Sequence, residues 1–128
     1  MVVYLSMSQV LELHAAQIAH YGGAKDLRDR GALEAALARP AMTFGGEDLY
    51  ADVPAKAAAL LHSLVLNHPF LDGNKRVGAH AAVLFLTVND VELLATPEAL
   101  VAVTLATAEG KVEPEALAIW FRQHSRSL

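Results

Sequence analysis

His68-Pro69-Phe70-Leu71-Asp72-Gly73-Asn74-Lys75-Arg76 (HPFLDGNKR, residues 68–76) stands between two apolar segments, AAALLHSLVLN at 57–67 and VGAHAAVLFLTV at 77–88. Both flanks are rich in alanine and leucine, the residues that lose least on entering a helix. Pro69 has no backbone N–H and blocks continuation of the first flank. The stretch therefore reads as a polar joint between two helices. Val77, Ala81, Leu84, Phe85 and Val88 recur at helical spacing, and the opposite face of the same segment is also apolar. A helix apolar all round belongs in the middle of a bundle.

Outward from this pair the chain reads as further helices with short punctuation. Asp52 and Pro54 open the helix that ends at Asn67. Ser6 caps a first helix closed by Gly22-Gly23, and Asp29 caps a short one that stops at Pro40. The glycines of TFGGEDLY, 43–50, mark a loop that is partly extended. Thr96-Pro97 starts a fifth helix closed by Gly110, and Pro114 a sixth carrying Trp120 and Phe121, read as core. The expectation is an all-α single domain over residues 1–128, a bundle of about six helices with a buried central helix following the HPFLDGNKR loop.

Composition narrows the function. The 128 residues are 54% hydrophobic, enough for a folded core. The net charge is −4 with cations scattered, so there is no basic face for nucleic acid. Without cysteine there is neither a disulfide framework nor a thiolate metal site. The uncharged run 77–89 is too short to span a bilayer, and the N-terminus does not read as a signal peptide. The expected location is the cytoplasm, away from any membrane.

The joint carries the chemistry. The first N–H groups of a helix lack intrahelical partners and sit at the positive end of its dipole, an anion site. Gly73 leaves room for close approach, and Asn74 caps the helix or holds the loop. Lys75 and Arg76 bring a point charge and a bidentate fork, both suited to phosphate. Asp72 among these cations makes sense as a ligand for a divalent metal that bridges phosphates. His68 is a candidate general base for a hydroxyl. The bland alternative is a common Asp-Gly-Asn turn with solvated cations; the concentration of base, acid, glycine, amide and two cations in nine residues favours function.

HPFLDGNKR resembles the motif of the Fic/Doc superfamily, HPFx(D/E)GN(G/K)RxxR, and in particular its Doc (death-on-curing) toxin branch. LRDRGALEAALARP, FGGEDLY and KAAALLHSLVLNHPF are similar to Doc-family segments in their usual order. Two positions depart from the adenylyl-transferring pattern: Lys75 replaces a glycine, and Ala79 stands where a second arginine binds the nucleotide for AMP transfer. Both are the Doc pattern. The resemblance implies the toxin of a type II toxin–antitoxin system, a kinase that transfers the ATP γ-phosphoryl to a Ser/Thr hydroxyl of elongation factor Tu and halts translation. The alternatives are a Fic-type protein adenylyltransferase and a catalytically idle binding module. On the resemblance His68 is the base, Asp72 holds Mg²⁺, and Gly73, Asn74, Lys75 and Arg76 cradle the phosphates. The flap residues Phe44, Gly45, Gly46, Glu47 and Asp48 would dock the target.

The remaining histidines have no i, i+4 pairing, which disfavours a helical two-His metal site. His62 and His80 flank the motif and read as hydrogen-bonded core residues, and Arg28, Asp29 and Arg39 as capping or ion-pairing ones. No convincing copy of the inhibitory (S/T)xxxE(G/N) helix of Fic proteins is present. The resemblance to Doc systems then implies control by a separate Phd-like antitoxin, expected to set a glutamate against Arg76 beside the fourth helix.

Overall fold

The computed structural model describes residues Met1–Leu128, and its organising element is the helix ahead of the joint. This helix, α3 (Val53–Asn67), begins where the Asp52 carboxylate accepts from the Ala55 N–H at 2.9 Å. Ala57, Ala58 and Ala59 are fully buried, and such small side chains let neighbours approach from several sides at once. Four helices do so: α2 (Arg30–Ala38), α4 (Asn74–Val88), α5 (Pro97–Ala108) and α6 (Pro114–Gln123). The sixth, α1 (Met7–Tyr21), packs on α4. One continuous apolar cluster runs through the molecule, with Leu60, Leu61, Leu64, Val77, Phe85, Leu117 and Phe121 at its centre. The all-α expectation holds, with α3 sharing the centre of the bundle with α4.

The crossing of α3 and α4 is close because of Gly78. A Cβ built there would lie 2.8 Å from Val65 Cγ2 and 3.5 Å from the Leu61 carbonyl oxygen. Caps at Ser6, Asp29, Asp52 and Thr96 each accept from a backbone N–H three residues on, as their side chains predict. Ser6 adds a reciprocal bond from its own N–H to Gln9 Oε1, completing a capping box.

Two small antiparallel ribbons complete the fold. The flap pairs β1 (Thr43–Phe44) with β2 (Glu47–Asp48) across Gly45-Gly46, whose positive φ values of 61° and 83° suit a tight hairpin. The second ribbon was not expected from the sequence: β3 (Val91–Leu93) pairs with β4 (Ser125–Ser127) and closes the C-terminus onto the end of α4. No helix is long and apolar enough to cross a membrane.

Candidate active site

α3 ends at His68, which adopts the left-handed conformation at φ 48° and ψ 57°. From there to Gly73 the chain forms a loop held on three sides. Outside, it pairs with the segment ahead of α2: the Arg28 and Asp29 N–H groups donate to Pro69 O at 2.7 and 3.0 Å, and Leu71 N–H donates to Asp26 O at 3.1 Å. Inside, Asn74 brackets Phe70, accepting from its N–H at 3.0 Å and donating to its carbonyl at 2.9 Å. Beneath, the buried Phe70 ring stacks on His14 at 3.6 Å, and His14 Nε2–H donates to Asp72 O at 2.7 Å. Burial of Phe70 contributes roughly 1.5–3 kcal/mol to holding the loop down.

This frame decides which groups remain free for chemistry. The Asn74 side chain is buried and bonded to the loop, so of the two roles read for it, capping the helix or holding the loop, it takes the second; its backbone N–H is left for an anion. Gly73 is the N-cap of α4 at φ 81°, with no side-chain cap. The first backbone bond of α4 is Val77 N–H to Gly73 O, which leaves the N–H groups of Asn74, Lys75 and Arg76 without intrahelical partners. Lys75 and Arg76 are exposed and take no part in the molecule's ion pairs. The Arg76 guanidinium lies 4.1 Å from the centre of the Tyr21 ring, a cation–π seat at the end of α1.

Asp72 accepts from the Ala24 N–H through Oδ2 at 2.7 Å, and its other carboxylate oxygen is open. No group of three or more His, Asp or Glu side chains forms a cage for a metal. A single anchored carboxylate suits Mg²⁺ as an ion shared with phosphate oxygens, because that ion keeps water and substrate ligands beside one or two carboxylates.

His68, Asp72, Gly73, Asn74, Lys75 and Arg76 all line one cleft of about 730 Å³. The motif therefore converges in space as it does in sequence. The opposite wall is one that motif reading does not reach: Pro97, Leu100, Val101 and Leu105 of α5 present an apolar face to the polar loop. Ala79 lies at the base and His80 on the rim, where Gln17 Nε2 meets His80 Nδ1 at 3.0 Å. His80 is thus an exposed residue of the cleft and not a core histidine.

His62 faces away from the motif. Its Nδ1 takes a hydrogen bond from Arg39 at 3.1 Å, and burial followed by the Arg39 charge pulls its pKa below the ordinary 6.5, against Glu113 and Glu115. Arg39 also donates to Tyr50 Oη at 2.7 Å and Ser63 Oγ at 2.8 Å, which pins the C-terminal end of the flap. The base of the flap is held by Lys56, fully buried, which donates to Pro40 O at 3.0 Å and Asp48 Oδ2 at 3.2 Å. Of the five flap residues singled out for docking, Asp48 therefore carries an anchoring contact, while Phe44 is 82% exposed at the tip. Arg28 and Asp29 have the capping roles expected of them, Arg28 on the last carbonyls of α3 and Asp29 on α2.

A model of the Fic/DOC family matches residues 4–86, a span that contains α1, the flap, α3, the loop and most of α4. The chain is 48% identical over 95 residues to Toxin Doc of Mycolicibacterium smegmatis, covering 74% of this chain and 71% of that one. It is 31% identical over 120 residues to Protein kinase doc of Escherichia phage P1, covering 94% of each. With an unbroken HPFLDGNKR loop, Lys75 and Ala79 at the diagnostic positions and relatives of this kind over 74% and 94% of its length, the chain belongs to the Fic/DOC family, on its Doc branch.

Proposed function

We propose that this chain is a toxin of a type II toxin–antitoxin pair and acts as a protein kinase, moving the γ-phosphoryl group of ATP to a Ser/Thr hydroxyl of elongation factor Tu. The observation that carries the reading is the cleft itself. An exposed histidine, an uncapped helix N-terminus, two unpaired cations and one anchored carboxylate with a free oxygen face the same space. A phosphoryl donor and a hydroxyl acceptor need that set of groups, since phosphoryl transfer depends mostly on positioning and charge neutralisation.

In this reading the free N–H groups at the start of α4, with Lys75 and Arg76, hold the phosphate chain. His68 takes the proton from the attacking hydroxyl. Asp72, fixed by Ala24, would hold Mg²⁺ through its open oxygen, and the ion would supply neutralisation of phosphate charge. The flap tip docks the target segment, with Asp48, Lys56, Arg39 and Tyr50 keeping its base in place. Ala79 has no guanidinium to support the AMP-transferring pose, which counts against adenylylation. The names of the two relatives, a toxin and a protein kinase, support the same choice. Control falls to a Phd-like antitoxin whose tail lies along the apolar α5 wall and presents a carboxylate to Arg76.

ATP labelled at the α- or the γ-phosphate, incubated with the chain, Mg²⁺ and elongation factor Tu, tests the proposal. Transfer of γ-label alone is expected. Transfer of α-label would make the chain an adenylyltransferase, and transfer of neither would favour the idle binding module.

A further inference from the structure

Arg28 is committed entirely to the backbone that carries His68. Its Nε donates to His68 O at 2.6 Å and its Nη2 to Asn67 O at 2.9 Å. These are the last carbonyls of α3, which have no partner within the helix and lie at its negative end. The backbone N–H of the same residue donates to Pro69 O, so three consecutive carbonyls of the loop entrance converge on Arg28. The side chain is exposed and takes part in none of the molecule's ion pairs, so it supports neither core nor surface network. His68, for its part, is left-handed at φ 48°, and its ring is exposed at the rim of the cleft. The turn of its backbone fixes the Cα–Cβ direction along which that ring leaves the loop.

Resting on the reading of His68 as general base, we propose that Arg28 is the positioning residue for His68: its planar guanidinium grips the Asn67 and His68 carbonyls and so keeps the imidazole aimed at the cleft. The rigid donor pair matters, because both carbonyl oxygens accept from one planar fork. A lysine offers a single mobile ammonium and would replace only part of the grip. Because Arg28 does not line the cleft, its loss should affect the turnover step and leave nucleotide binding in place.

The test compares Arg28→Ala, Arg28→Lys, His68→Ala and the Arg28→Ala/His68→Ala double variant with the wild-type chain. The first readout is γ-label transfer. Arg28→Ala should lose about 10- to 100-fold in kcat with KM for ATP within about three-fold of wild type, as a displaced catalytic group does. Arg28→Lys should recover part of the loss, and the double variant should be no slower than His68→Ala alone. The second readout needs no activity: in histidine-labelled protein without nucleotide, the His68 ring signal, assigned by its disappearance in His68→Ala, should shift and broaden in Arg28→Ala. A ring signal identical to wild type, or an Arg28→Ala kcat within two-fold of it, would overturn the proposal. Were the wild-type chain to transfer no label, the functional reading would fall, while the ring signal would still decide whether Arg28 orients His68.

Discussion

His68 combines an exposed imidazole with a left-handed backbone, a conformation that costs a residue with a Cβ about 1–2 kcal/mol. The two attributes can be separated by substitution. His68→Ala and His68→Gly should both lose roughly 10²–10⁴ in transfer rate, the usual effect of removing a general base. Glycine relieves the backbone and alanine does not, so His68→Gly should be the more stable of the two by about 1 kcal/mol in urea denaturation. Equal midpoints would mean that the loop re-forms without the left-handed turn. Lys75 allows a second test at the same scale. Lys75→Gly removes an unpaired charge from the first turn of α4, and on the proposed function γ-label transfer should fall; α-label transfer should stay low because Ala79 lacks a guanidinium. Unchanged γ-transfer would make Lys75 a solvated bystander. The motif residues were readable in the sequence because their types and spacing are local. Asn74 was only half readable: its choice between capping the helix and holding the loop depended on Phe70 lying within reach of both its amide atoms.

Among the elements, the α3–α4 crossing is the most sensitive point. Val65 is β-branched and stiff within a helix, so it cannot swing away from an added methyl at Gly78. Overpacking of this kind costs roughly 1–3 kcal/mol, offset in part by the better helix propensity of alanine, worth about 1 kcal/mol. Gly78→Ala should therefore lower stability by about 1 kcal/mol in urea denaturation, and adding Val65→Ala should reduce the clash term in a double-mutant cycle. An unchanged midpoint would show that the two helices part freely. Helix starts were legible because Ser6, Asp29, Asp52 and Thr96 act on backbone three residues away. The pairing of β3 with β4 was not. Each strand has three residues, they lie far apart in the chain, and neither alternates strongly enough to predict a partner. Arg28 was read correctly as a capping residue; that its cap falls on the α3 terminus emerges only once residues 26–29 meet the loop in space.

Across the whole molecule, pH acts through two groups, His62 within α3 and Asp52 at its N-cap, each facing an arginine from a different element. His62 has a folded pKa below 6.5, chiefly through burial and then the Arg39 charge. The unfolded chain therefore takes up this proton first on acidification, and stability that is full above pH 6.5 declines as pH falls through the folded value. Asp52 lies below its ordinary 3.8, chiefly through the side-chain bond from Arg122 and despite the opposing effect of burial. Its contribution is present above that value and is lost as pH drops through the folded pKa, a smaller effect for a half-exposed ion pair. The urea midpoint should thus fall between about pH 7.5 and pH 5.5, and the fall should be shallower in His62→Gln. Equal slopes in the two proteins would remove His62 from the linkage. None of this was visible in the sequence, because His62 meets Arg39 through the packing of α3 against the turn after α2. The α5 wall of the cleft was hidden for the same reason: α5 reads as one more helix until the bundle sets Pro97, Leu100, Val101 and Leu105 opposite the loop.

The Asn89–Asp90 corner, where α4 gives way to β3, holds both ends of the chain. Asn89 Oδ1 accepts from the Val3 N–H at 2.7 Å, its Nδ2 donates to Val3 O at 2.8 Å, and Leu128 N–H donates to Asp90 O at 2.9 Å. Fifteen residues of α4 separate this corner from the HPFLDGNKR loop, about 22 Å along the helix. The order in which the helices are strung is therefore separable from the geometry of the cleft. A circular permutant that joins Leu128 to Met1 through a short glycine-rich linker, with new ends at the exposed Gly110–Lys111 turn, should fold and keep transfer activity. Circular dichroism and the γ-label assay would check it, and a permutant that folds without activity would show that the corner and the cleft are coupled after all.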